Sequence, residues 1–179
     1  MRPDWSSLRF LFFWLLANLA GWYAFNVFGY YLALAVLGIG LFLAWLQWLV
    51  LSHYFEVESS WVWLSFLPFG IHYFLLVGSG QTRESLILYT LLIFGVAGYL
   101  QWRVLSFYVR NAGLWLLASP FAGLVAISQT IFVVYLVTAR NGSPYGVVEA
   151  TFGLTYALIT GITIVVADKL PALLKDDPQ

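Results

Sequence analysis

Few side chains in this sequence could do chemistry, and each sits in or beside a long apolar run. His72 is the histidine placed well inside such a run. A neutral imidazole there can ligate a metal, including the magnesium or iron of a tetrapyrrole, or simply hydrogen-bond a backbone carbonyl. Gln47 and Gln101 occupy the same place in two near-copies, Leu46-Gln47-Trp48-Leu49-Val50-Leu51-Ser52-His53-Tyr54 and Leu100-Gln101-Trp102-Arg103-Val104-Leu105-Ser106-Phe107-Tyr108. In hydrocarbon an amide either glues neighbouring helices, at about 0.6–2 kcal/mol, or lines a cavity and holds a ligand. Gln129, in the triplet Ser128-Gln129-Thr130, joins the same group, and Asn18 is polar and equally deep. Gln47, Gln101, His72 and Gln129 are therefore the candidate ligand-binding residues. Glu149, with Arg140 before it, reads as an interfacial ion pair, and His53 falls in a loop.

A catalytic constellation is not among these residues. The sequence has no His/Glu pair at zinc spacing, no Gly-x-Ser-x-Gly, no glycine loop ending in Lys, and no pair of carboxylates within an apolar run. Such chemistries need convergent polar groups, so a non-enzymatic protein is expected. No cysteine is present, which excludes disulfides, thiolate catalysis and cysteine-ligated clusters. No metal or cofactor is required by the sequence, and a tetrapyrrole on His72 is the one cofactor option.

What must position these residues is a set of membrane helices. Of the 179 residues, 62% are hydrophobic, 9% are charged and 20% are aromatic, and the mean hydropathy is +0.87. Soluble domains carry about 25% charged residues, so the expected solvent is the lipid bilayer. The net charge is zero, and neither nucleic acid nor an anionic surface finds a basic patch to bind. Apolar segments cover 8–25, 30–51, 61–77, 84–105, 112–138 and 147–167, each near the length that crosses about 30 Å of hydrocarbon. Asn26 and Gly29, the stretch Gly78-Ser79-Gly80-Gln81-Thr82-Arg83, and Asn141-Gly142-Ser143-Pro144 read as turns or loops, and the tail from Asp168 reads as frayed. Trp48 and Trp102 read as membrane-interface anchors. Pro68 and Pro120 read as kinks within their helices. With six spans, Arg2, Arg9, Arg103, Arg110, Lys169 and Lys175 share one side, against Arg83 and Arg140 on the other. The positive-inside rule then puts both termini in the cytoplasm or stroma.

The repetition goes beyond the Gln-Trp motif. Trp63, Leu64 and Pro68 follow the first copy as Trp115, Leu116 and Pro120 follow the second. Trp14-Leu15-Leu16-Ala17-Asn18 echoes Trp115-Leu116-Leu117-Ala118-Ser119, and Phe94-Gly95 echoes Phe152-Gly153, with Ile159-Thr160 standing where the Gln-Trp pair would fall. The expected fold is all-α, six transmembrane helices forming three repeated hairpins (8–51, 61–105, 112–167) in one pseudo-threefold domain. Gln47, Trp48, Val50, Leu51, then Gln101, Trp102, Val104, Leu105, then Trp115, Ala118 and Ser119 resemble a group of uncharacterised polytopic membrane proteins of cyanobacterial type. In that group the hairpin recurs, often with two arginines after Val-Leu, where this chain has Ser52-His53 and Ser106-Phe107. The resemblance implies the repeated hairpin and no activity. In size and tryptophan content the chain is also similar to vitamin-transporter substrate-binding subunits and to tryptophan-rich sensory proteins. The function expected is thus an accessory subunit or assembly factor that packs against other integral membrane proteins. The alternatives are a small-molecule binding or transport protein and a pigment- or haem-binding protein.

Overall fold

The apolar runs form six α-helices: α1 Trp5–Phe28, α2 Ala33–Phe55, α3 Ser60–Val77, α4 Arg83–Leu105, α5 Leu114–Ala139 and α6 Val147–Lys169. The computed structural model describes residues 5–28, 33–77, 82–140 and 147–170, and among these there is no strand. The turns expected at Gly29 and at 141–144, the 78–81 part of the loop expected over 78–83, and the ends at 1–4 and 171–179 lie outside the described residues; of that loop Thr82 is the cap and Arg83 the first residue of α4.

Local chemistry sets the ends that are described. Thr82 caps α4, its hydroxyl accepting from the Ser85 amide at 3.3 Å, and Glu84 stands in the first turn, where a carboxylate meets the positive end of the helix. Asn111, between α4 and α5, donates its amide to the carbonyls of Ala167 at 3.0 Å and Leu170 at 3.1 Å. Those carbonyls belong to the end of α6, where helical partners run out. Helix α2 runs four residues beyond the expected end, so His53 is in its last turn rather than in a loop. Two of the added residues pack: Tyr54 and Phe55 meet Phe10 edge-on at 5.5 and 5.3 Å. The helix then stops at Glu56, whose φ of 57° is left-handed and whose amide donates to Ser52 O at 3.2 Å. Asn26, expected in a turn, is instead helical.

Each helix packs on its neighbours in the chain, and α6 closes on α1 to complete a ring. The neighbours are antiparallel. Where α4 meets α5, Gly98 faces Ser119 and Phe94 faces Gly123, so one number falls as the other rises. Helices α1, α3 and α5 consequently run one way and α2, α4 and α6 the other. Among the described residues four of the helices, counting α2 over Gly38–Phe55 with α4, α5 and α6 entire, are long and apolar enough to cross a membrane.

Polar and apolar groups are distributed as lipid solvent demands. Asn18, Gln47, Ser65, Gln101, Ser119 and Thr160 are buried, while Leu117, Tyr135, Trp63 and Phe132 are 74, 69, 64 and 61% exposed. Water would penalise that outward surface, whereas hydrocarbon does not. The chain is therefore a helical, multi-pass membrane protein by length, composition and surface.

Close helix approach depends on particular glycines. A Cβ on Gly40 would stand 2.6 Å from Phe66 O, a backbone atom of α3 that cannot swing aside, whereas one on Gly95 would meet nothing within 4 Å. Gly40→Ala is expected to lose about 1–3 kcal/mol by overpacking. Gly95→Ala should gain up to about 1 kcal/mol from helix propensity. Thermal unfolding of both variants in detergent micelles checks the contrast.

Candidate functional site

Among the described residues, buried side chains pack in two clusters inside the ring. Three tryptophans, one from each odd-numbered helix, meet there: Trp115 lies edge-on to Trp14 at 6.4 Å and to Trp61 at 5.9 Å. Their indole N–H groups need acceptors, because no water competes at that depth. Trp115 Nε1 donates to Gln101 Oε1 at 3.0 Å and Trp14 Nε1 donates to Thr160 Oγ1 at 3.1 Å. The Gln101 amide in turn donates to Ser65 Oγ at 2.9 Å, and the Gln47 amide to Asn18 Oδ1 at 2.7 Å. Asn18 donates back to Trp14 O at 2.9 Å.

The result is a stitched layer. Gln101 ties α3, α4 and α5 together, Gln47 ties α2 to α1, and Thr160 ties α6 to α1. Above it, Ser119 bonds Phe94 O at 3.1 Å and the Tyr156 hydroxyl at 3.2 Å, joining α4, α5 and α6. One place in the layer is unfilled: Trp61 Nε1 and Gln47 Oε1 are both buried without a hydrogen-bond partner. A donor and an acceptor on adjacent helices thus stand unmatched where Trp115 and Gln101 are matched one hairpin later.

His72 is held by rings. Its imidazole centroid lies 4.8 Å from Phe94, 4.8 Å from Phe152 and 5.9 Å from Trp22, and Nε2 is buried without a hydrogen-bond partner. Among the described residues no three His, Cys, Asp or Glu groups gather as metal ligands. The four candidate residues do not converge. Gln47 and Gln101 belong to the stitched layer, His72 lies among the aromatic rings beyond it, and Gln129 is exposed on the outside of α5. There Gln129 accepts from Thr155 of α6 at 2.6 Å. Of its triplet, Ser128 is also exposed and Thr130 alone is buried.

Trp48 is half-buried, donating to Val57 O at 2.9 Å and packing on the interior clusters, so it braces the end of α2. Trp102 packs on one of those clusters at the matching end of α4. Pro68 and Pro120 lie inside α3 and α5, and both helices continue through them. Glu149 is buried in the first turn of α6.

Sequence reasoning passed over Trp61, Ser65 and Tyr156. It paired Trp63 with Trp115, yet Trp63 faces outward and Trp61 takes the inner place. The signal was available in the spacing: Trp14 and Asn18, Trp61 and Ser65, Trp115 and Ser119 are each one helical turn apart and all buried. Comparison with family models, with curated proteins and with solved structures returns no match.

Gln101→Leu strands the Trp115 N–H and the Ser65 hydroxyl and is expected to destabilise the fold by about 1–3 kcal/mol. Gln129→Leu removes an exposed bond and should stay within about 0.5 kcal/mol. Unfolding of the two variants in the same micelle separates the buried layer from the surface.

Proposed function

We propose that the chain is a non-enzymatic integral membrane protein, an accessory subunit or assembly factor that works by packing its outward surface against other membrane helices. The observation that carries this reading is the use of the interior polar groups. The amides and hydroxyls best suited to hold a ligand bond each other instead, while large rings such as Phe132 and Tyr135 face out from one stretch of α5. Short connections and scarce charge suit lateral packing in lipid.

The finer architecture belongs to the same proposal: six membrane crossings, three repeated hairpins about an axis normal to the membrane, and both termini in the cytoplasm or stroma. Its support is the shared tryptophan-to-polar spacing in α1, α3 and α5, the closed antiparallel ring, and the uneven placement of Lys and Arg. The second reading, a binder of a small molecule or pigment, draws on His72 Nε2 and Thr130 Oγ1, both buried without hydrogen-bond partners.

Native mass spectrometry of the protein extracted gently from its own membrane tests the choice. A discrete larger mass with identified proteins, reduced in a Phe132→Ala/Tyr135→Ala variant, is expected. A bare 20.2 kDa chain with a reproducible small adduct would sink the subunit reading, and visible absorbance lost in His72→Ala would make it a pigment protein. The topology has its own check, because the chain has no cysteine. Ser106→Cys should react with an impermeant thiol reagent only from the cytoplasmic or stromal face, and Thr82→Cys only from the opposite one. Labelling of both from the same face contradicts the arrangement.

A further inference from the structure

On the outward side of α3 and α4 an apolar slot of about 470 Å³ is lined by Trp63, Leu67, Pro68, Ile71, Leu92 and Val96, among others. A second chamber of about 560 Å³ lies at the Arg103 end of the same helices, lined in part by Glu58, Ser60, Arg103, Phe107 and Tyr108. Leu64 and Leu100 line both, so slot and chamber form one continuous cleft. One end is hydrocarbon. The other carries one cation, one anion and two hydroxyls.

Those two charges are the informative part. Arg103 and Glu58 face one chamber without being paired to each other. Desolvation of the phenol, and after it the nearby Glu58 carboxylate, hold Tyr108 above the usual tyrosine range. A guanidinium presents a planar fork suited to a phosphate, and a carboxylate with lone pairs to spare suits an ammonium. An amphiphile carrying phosphate and a primary ammonium a few bonds apart matches both charges at once. A headgroup with phosphate alone leaves Glu58 facing it, and a quaternary ammonium has no N–H to donate.

We infer that the α3–α4 cleft binds one molecule of an ethanolamine-type zwitterionic phospholipid. An acyl chain fills the slot between Leu67, Pro68 and Val96, the phosphate lies against Arg103, and the ammonium lies against Glu58. The inference rests on the chain being embedded in lipid, and not on its having a protein partner or on which way it faces.

The test is lipid retention by the purified full chain in detergent, followed by native mass spectrometry. Phosphatidylethanolamine, phosphatidylcholine and phosphatidylglycerol with identical acyl chains are titrated separately. The first bound phosphatidylethanolamine should be retained about tenfold more strongly than the other two, the scale of one charge-assisted hydrogen bond. Arg103→Gln should remove most of that retention and Arg103→Lys should restore part of it. Glu58→Gln should abolish the preference over phosphatidylcholine without weakening phosphatidylglycerol. Leu67→Trp, at a position already facing outward, should fill the slot and remove the saturable first site for all three lipids. Equal retention of the three lipids by the unaltered chain would overturn the inference. So would wild-type binding by the Arg103→Gln and Glu58→Gln variants, provided helicity by circular dichroism shows them folded. Failure here leaves the subunit reading intact, because partner masses are read in a separate extraction.

Discussion

The amide of Gln101 is bonded at both ends within the bundle, its oxygen taking the Trp115 N–H and its nitrogen reaching the Ser65 hydroxyl. Three helices meet through that one group. In lipid this constraint governs the rest of the structure, since the hydrophobic effect that drives soluble cores together vanishes once hydrocarbon surrounds them. What remains is van der Waals contact and the need of each buried polar atom for a partner. The three interior tryptophans supply both: they fill the ring with flat surface and present N–H groups that need acceptors from the next helix. Gly40, Gly98 and Gly161 leave the space into which the Phe66 carbonyl, the Ser119 side chain and the Trp14 ring come close.

Much of the coarse structure was legible in the sequence. Runs this apolar, broken by glycine, asparagine and proline, give helices of membrane length, and the observed boundaries differ from the expected ones by a few residues. The overrun at Tyr54 and Phe55 came from contacts with Phe10, far away in the chain, which no local signal reveals. Gln47 and Gln101 stood out because amides are rare in such runs. Their partners did not. Ser65 and Thr160 are residues that helices in lipid tolerate anywhere by bonding their own backbone, so only the geometry shows which of them face inward.

The misplaced tryptophan is instructive in the same way. Trp63 and Trp115 both precede a proline by five residues, and the proline made the alignment persuasive. Inward direction is set by the helical turn, and the polar residue four positions on marks it better. Trp61 with Ser65 satisfies that spacing, as Trp115 does with Ser119. Gln129 misled for the opposite reason, being polar and mid-helix yet turned outward to a single bond with Thr155.

Gln101, Trp115 and Ser65 are bonded to one another, as the Gln47 nitrogen is to Asn18, and the proposed subunit role draws on the outer surface instead. The most direct measurement is a double-mutant cycle on Trp115→Phe and Gln101→Leu, read as unfolding free energy in micelles. A coupling of about 0.6 kcal/mol or more between them, at the scale of interhelical bonds in lipid, is the result expected of a structural layer. Additive effects would show that the two side chains are independent, and the stitched interior would no longer explain how the bundle holds together.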